Sequence, residues 1–283
     1  MAVALALLAA VAFAAGTVLQ QRGTLRTPAG EDDARFLTQI LHEPAWLAGA
    51  LLQAFGWILQ AAALNRGALL VVQALTTLSL VIALPLGARL TDQQVGHREV
   101  VGALSVVLGI VLFLSVGTPE GGATRPSAAA WWTAGIGAAA VTAALAAFGR
   151  SRRGAARAAL FGTAAGVAFA LQAAVTKVFV GELGHGVGGL LSTWSTYGLI
   201  VTALAGFVLQ QSALKTGVLA PAMAASNAST LAFSVVFGIR IFDESLAHGS
   251  GRATAAWVGL GLAMLGVIRL ASAHAPVDRT VSG

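Results

Sequence analysis

The chain has 283 residues, of which 57% are apolar and only 10% charged, and its mean hydropathy is +0.81. An ordinary soluble protein carries about 25% charged residues, so most water-soluble enzymes and binding modules are excluded and a polytopic membrane protein is expected. The 17 Lys and Arg against 11 Asp and Glu give a net charge of +6, which suits basic cytoplasmic loops, and the absence of Cys removes disulfides, thiolate metal sites and Cys nucleophiles.

Apolar runs long enough to cross a bilayer, about 20 residues each, follow one another along the chain. They are expected at 2–21, 45–64, 67–88, 99–116, 128–148, 156–180, 194–214, 217–238 and 254–271. The spans are helices, because an open sheet cannot satisfy its backbone in lipid. The first run contains Ala12-Phe13-Ala14, which fits a small-residue cleavage site. Its start has no Lys or Arg, so a signal peptide is disfavoured. The longest polar stretch, 22–44, has room for a loop or short interfacial helix but not for a soluble domain. Asn65-Arg66-Gly67 turns the second span into the third, and Lys215-Thr216-Gly217 the seventh into the eighth. The glycine-rich stretch Gly181–Gly189 reads as a flexible outer loop. With nine crossings, twelve of the 17 Lys and Arg fall on one side and five on the other. The basic side is cytoplasmic, which puts the N-terminus outside and the C-terminus inside a plasma (inner) membrane.

The halves repeat. Residues 56–74, GWILQAAALNRGALLVVQA, match 206–224, GFVLQQSALKTGVLAPAMA, at 8 of 19 positions without a gap; the biased composition gives about two by chance. Val11-Ala12-Phe13-Ala14 recurs as Val167-Ala168-Phe169-Ala170, and Val101-Gly102 with Leu108-Gly109 recurs as Val258-Gly259 with Leu265-Gly266. Spans 1–4 therefore correspond to spans 6–9, and the fifth links them. A shift of five spans is odd, so the halves enter the membrane from opposite sides, as in the inverted repeats of alternating-access transporters. The expected fold is all-α: a first repeat over 1–116, a linking helix and basic loop over 117–153, a second repeat over 154–273 and a short cytoplasmic tail over 274–283. The substrate site is expected near the midplane where the repeats meet.

Within the spans, polarity is carried by amides and hydroxyls. Gln60, Gln73, Gln172, Gln210 and Asn227, with Thr77 and Ser226, are the pathway candidates, since an amide facing lipid is costly unless bonded. Interhelical hydrogen bonding explains the same residues without a substrate. Gln60 and Gln210 are repeat mates and should line the two ends of one pathway. Trp57, just before Gln60, is a further candidate, although the other Trp read as interface anchors. Lys177 lies near the outer end of its span, where it either snorkels to the interface or offers a fixed cation at a cavity mouth. All eleven acids fall in loops or at helix ends, which disfavours proton coupling through a buried carboxylate; Glu99 and Glu244 are the two that could dip inward. Pro85 and Pro221 can kink their helices, and Gly162-xxx-Gly166 permits close helix approach. No HExxH, GxSxG, Walker A or CxxC motif occurs, so no enzyme, catalytic residue, metal ligand or cofactor is expected.

Taken together, the duplication and its motifs resemble the drug/metabolite transporter superfamily with EamA-like domains. The motifs run from Ala63-Leu64-Asn65-Arg66-Gly67-Ala68 to Leu86-Gly87-Ala88-Arg89-Leu90-Thr91 in the first half. In the second they run from Ala213-Leu214-Lys215-Thr216-Gly217 to Phe237-Gly238 and Asp243-Glu244. Nine spans, an outside N-terminus, and a long first loop followed by Pro44-Ala45-Trp46-Leu47-Ala48-Gly49 look most like the NIPA-type branch, described as magnesium transporters. Two departures stand against magnesium: Ala88 occupies the position where such repeats usually carry Glu, and carboxylates, which a hard divalent cation favours, are missing from the spans. The resemblance implies a secondary transporter of a small polar or amphiphilic metabolite or drug. Its partners are the lipid bilayer and a small-molecule or cation substrate, not nucleic acid. A homodimer, a magnesium permease and a non-transporting membrane scaffold or accessory subunit stay open as alternatives.

Overall fold

The computed structural model describes residues 1–26, 42–90, 95–117, 126–214, 216, 219–246 and 250–273. Most of the polar stretch 22–44, Lys215 and Gly217 of the second expected turn, Asp92 and the tail lie outside the described residues. Eleven α-helices are described: α1 (Ala2–Arg26), α2 (Pro44–Leu64), α3 (Leu69–Thr77), α4 (Ser79–Leu90), α5 (His97–Gly117), α6 (Ala128–Arg150), α7 (Gly154–Glu182), α8 (Gly186–Ser192), α9 (Trp194–Leu214), α10 (Leu219–Phe242) and α11 (Ser250–Ala273). Among the described residues, eight stretches are long and apolar enough to cross a membrane, α3 and α4 together making one. The chain is thus an all-helical, multi-pass membrane protein. Nine spans were expected. The remaining one, α9, is a helix of 21 residues with a polar Trp-Ser-Thr-Tyr start and a Gln210-Gln211-Ser212 segment near its end.

Two local expectations are corrected. The expected third span is two helices joined at Leu78, whose N–H bonds Leu75 O in a tighter turn at 3.1 Å. Just before it, the Thr76 and Thr77 hydroxyls both donate to the Gln73 carbonyl, at 3.1 and 2.8 Å; such back-bonding bends helices. Gly181–Gly189 is not a flexible loop: α7 runs on to Glu182, a turn of 3-10 helix follows, and α8 begins at Gly186. Pro221 is the third residue of α10, within the first turn, where no backbone donor is needed.

Packing follows from small side chains. The central helix α7 is the most buried span and α6 the least. A Cβ on Gly162 or Gly166 of α7 would strike the Ala222 or Ser226 carbonyl of α10, so the Gly162-xxx-Gly166 motif does bring two backbones together. Outward faces carry large apolar side chains such as Leu51, Ile58, Trp132 and Val201, as helices in lipid require.

The sequence-matched segments make matching contacts. A Cβ on Gly56 would lie 2.6 Å from the Phe13 ring, and one on Gly206 2.5 Å from the Phe169 ring. Gln60 meets Gln73 and Gln210 meets Met223, each thirteen residues on. The tightest correspondence joins α5 to α11: Gly102 abuts the Gly266 carbonyl, and Gly109 abuts the Gly259 carbonyl. Gly102 matches Gly259, and Gly109 matches Gly266, in the repeat. The two contacts therefore exchange when the halves are exchanged, and the helices cross antiparallel.

Helix ends gather accordingly. A Cβ on Gly67, in the α2–α3 turn, would lie 2.7 Å from Ala2 at the start of α1. At the same end, Glu244 after α10 joins Lys177, five residues before the end of α7, to the start of α3. Trp131 near the start of α6 meets Trp194 at the start of α9 edge-to-face, with ring centroids 4.8 Å apart.

Candidate functional site

Around the gathered ends, three groups of polar side chains stand out. The first is an ion pair inside the bundle. α10 stops at Phe242, where Asp243 takes φ 52°; Asp is among the few side chains that tolerate this left-handed conformation. The reversal turns Glu244 inward, and its N–H donates to Gly238 O at 3.0 Å. The Glu244 carboxylate is fully buried. It accepts the N–H groups of Leu69 at 2.5 Å and Leu70 at 2.9 Å, the free donors at the start of α3. A helix N-terminus favours an anion there. Lys177 Nζ of α7 lies 2.6 Å from Glu244 Oε1 and 4.4 Å from the centroid of the Phe242 ring. Lys177 therefore neither snorkels to the interface nor stands free at a cavity mouth. It is half of a buried pair, and such a pair is tolerated only when both members are bonded.

Space for the carboxylate comes from Gly238, where a Cβ would lie 2.6 Å from Glu244 Oε2 and 2.6 Å from Leu70 Cδ1. Neither this role of Gly238 nor the pairing of Glu244 follows from the sequence. The available signals were an acid beyond the end of the expected span 217–238 and a lysine three residues inside the end of the expected span 156–180, far apart in the chain.

The second group is the amide cluster of the first half. Gln60 Nε2 donates to Gln73 Oε1 at 3.0 Å, and the single Thr76 hydroxyl proton is shared between the Gln73 backbone carbonyl and the same Oε1, 3.2 Å away; all three side chains are buried. Gln60 lies four residues before the end of α2, ~6 Å along the axis, so the cluster sits toward one end of the bundle rather than midway. In the second half the mate is open. Among the described residues, Gln210 Nε2 reaches the Met223 sulfur alone, at 3.2 Å, and Gln210 Oε1 is buried with no hydrogen-bond partner. Asn227 and Thr77 bond carbonyls of their own helices. Ser226 is buried where α10 packs against Gly166. Gln60 and Gln210 are not brought together.

The third group lines a cleft of about 770 Å³ between α2, α7 and α9. Trp57, Ile58, Ala61 and Ala62 form one wall, Gln172, Thr176, Phe179 and Val180 the other, and Leu199 closes the side. Asn65 and Arg66 stand at its rim. Of the nine sequence candidates, the cleft takes Trp57 and Gln172; Gln60, one turn from Trp57, faces the bundle instead. Asn65, Arg66 and Thr176 belong to it too, and the sequence had marked the first two only as a turn.

A protein of Corynebacterium glutamicum is 30% identical to this chain over 270 residues, which cover 95% of the chain and 92% of the relative; it is described as uncharacterised. No family model matches the chain. No solved structure matches it.

Proposed function

We propose that this chain, which belongs to one family with the Corynebacterium glutamicum protein, is a permease of the drug/metabolite transporter type that moves a small polar or amphiphilic solute by alternating access. The observation that carries the reading is the swapped glycine contact between α5 and α11. Two antiparallel helices whose contacts exchange with the halves imply a pseudo-two-fold axis across the helices. If the helices span the bilayer, that axis lies in the membrane plane, the arrangement of inverted-repeat transporters. On this reading α9 is the ninth span and residues 1–116 and 154–273 are the repeats. The basic side is cytoplasmic and the Lys177–Glu244 end faces out. The asymmetry between the sealed Gln60–Gln73 pair and the open Gln210 supports one closed and one loosened end. No chemistry of bond making is assigned to the chain.

A magnesium permease is the alternative reading. It gains nothing from Glu244, whose oxygens are taken by Leu69, Leu70 and Lys177.

The test is uptake into proteoliposomes of the purified protein, with ethidium and a ¹⁴C-labelled amino-acid mixture as probes and a trapped magnesium indicator in parallel. Protein-dependent uptake of an organic probe is expected, at least tenfold lower in a folded Gln60→Leu/Gln210→Leu double variant. Magnesium flux alone would move the assignment to the cation permease. No flux of either kind from folded protein would leave a scaffold, and a double variant that transports unimpaired would remove Gln60 and Gln210 from the pathway.

A further inference from the structure

We infer that the cleft between Trp57 and Gln172 binds an amphiphile with an anionic, hydroxyl-bearing headgroup, a phospholipid-like molecule that reaches it sideways from the bilayer. The inference concerns binding, and it stands whether or not the chain carries out transport. Cleft size and shape come first: about 770 Å³ is within the range of small-molecule sites. Its walls are mostly apolar, and Trp57 and Ile58 on its flank are exposed, so a hydrocarbon tail can lie against them without crossing a polar barrier.

The head end is set by three observations. Arg66 spends one donor on the Ala62 carbonyl, at 3.2 Å. Among the described residues the ion pairs are Arg26–Glu43 and Lys177–Glu244, so no described carboxylate neutralises Arg66. A guanidinium with remaining donors at a membrane interface is suited to a phosphate or carboxylate. Gln172 is buried, and among the described residues its Oε1 has no hydrogen-bond partner. Its neighbour does not supply one, because the Thr176 hydroxyl donates to the Gln172 backbone carbonyl at 2.8 Å. An unsatisfied buried amide oxygen is costly, and a ligand hydroxyl would satisfy it. The site also breaks the repeat: Trp57 and Arg66 match Phe207 and Thr216. Packing shared by the halves therefore does not account for it.

Native mass spectrometry of the full chain in a mild non-ionic detergent tests this. The probes are palmitoyl-oleoyl phosphatidylglycerol, the phosphatidylcholine of the same chains, and glycerol phosphate as the head alone. Phosphatidylglycerol adducts should exceed phosphatidylcholine adducts at least fivefold, and glycerol phosphate should give none. R66Q, an exposed substitution, and Q172L should each cut the phosphatidylglycerol adduct fivefold or more, while R152Q, in the α6–α7 turn, leaves it unchanged. Equal binding of the two lipids, equal binding by R66Q and the parent chain, or binding of glycerol phosphate as strong as that of the lipid would overturn the inference. None of these results depends on flux.

Discussion

At the scale of single residues, the Lys177–Glu244 pair makes the sharpest demand. Removing one partner of a buried ion pair leaves an uncompensated charge, which costs about 3–5 kcal/mol. Glu244→Gln should therefore lower the unfolding temperature in detergent clearly. Adding Lys177→Met should recover part of the loss, because the stranded ammonium is gone. A double variant as unstable as the sum of the singles would show that the two side chains act independently. The amides divide differently. Gln60→Leu removes a buried interhelical hydrogen bond, worth about 0.6–2 kcal/mol. Gln210→Leu removes an amide whose oxygen is already unpartnered. Thermal unfolding of the two should show a loss for Gln60→Leu and little or none for Gln210→Leu.

At the scale of helices, contact distance decides which glycines matter. Gly109 and Gly259 face each other's backbones across α5 and α11, whereas Gly135 and Gly137 on α6 have nothing within 4 Å of a Cβ. Gly109→Val or Gly259→Val should force the helices apart and reduce folded yield in a size-exclusion assay. Gly135→Ala and Gly137→Ala should be neutral, or stabilising by up to about 1 kcal/mol each through helix propensity. The sequence was highly informative at this level. Continuous apolar runs located the helices, because a chain that exposes apolar side chains to lipid leaves few other signals. The repeat then indicated which glycines correspond, and Gly56–Phe13 with Gly206–Phe169 make the same contact. What it could not supply was tertiary. The break at Leu78 depends on which carbonyl two threonines share. The turn that sends Glu244 inward depends on one φ angle at Asp243, and the partner of Lys177 lies 67 residues away. The candidate site was legible only in part for the same reason: Trp57 and Gln172 were singled out, but their meeting with Arg66 requires α2 and α7 to be adjacent.

At the scale of the whole molecule, the gathered helix ends make a claim about sidedness. Ser127 and Ser192 lie at the end shared with Lys177 and Glu244, and Ser151 lies at the far end of α6. Because the chain has no Cys, a single introduced thiol reports cleanly. An impermeant maleimide applied to intact cells should label Ser127→Cys and Ser192→Cys, and should label Ser151→Cys only after permeabilisation. The reverse pattern would invert the orientation derived from the basic residues. Labelling of all three in intact cells would rule out the crossing of α6.

The capping of α3 by Glu244 has a chemical consequence. A carboxylate carried on the chain is present at its own docking point at an effective concentration that a free anion in solution rarely reaches, so soluble anions are kept from those two N–H groups and from Lys177. Truncation to Glu244→Ala would remove the resident and leave its socket lined with donors. Millimolar formate or acetate should then raise the unfolding temperature of the truncated protein while leaving the parent chain unmoved, with chloride at equal ionic strength as the control. A fold that has swallowed its own counter-ion would thus be made responsive to small carboxylates by the loss of one side chain.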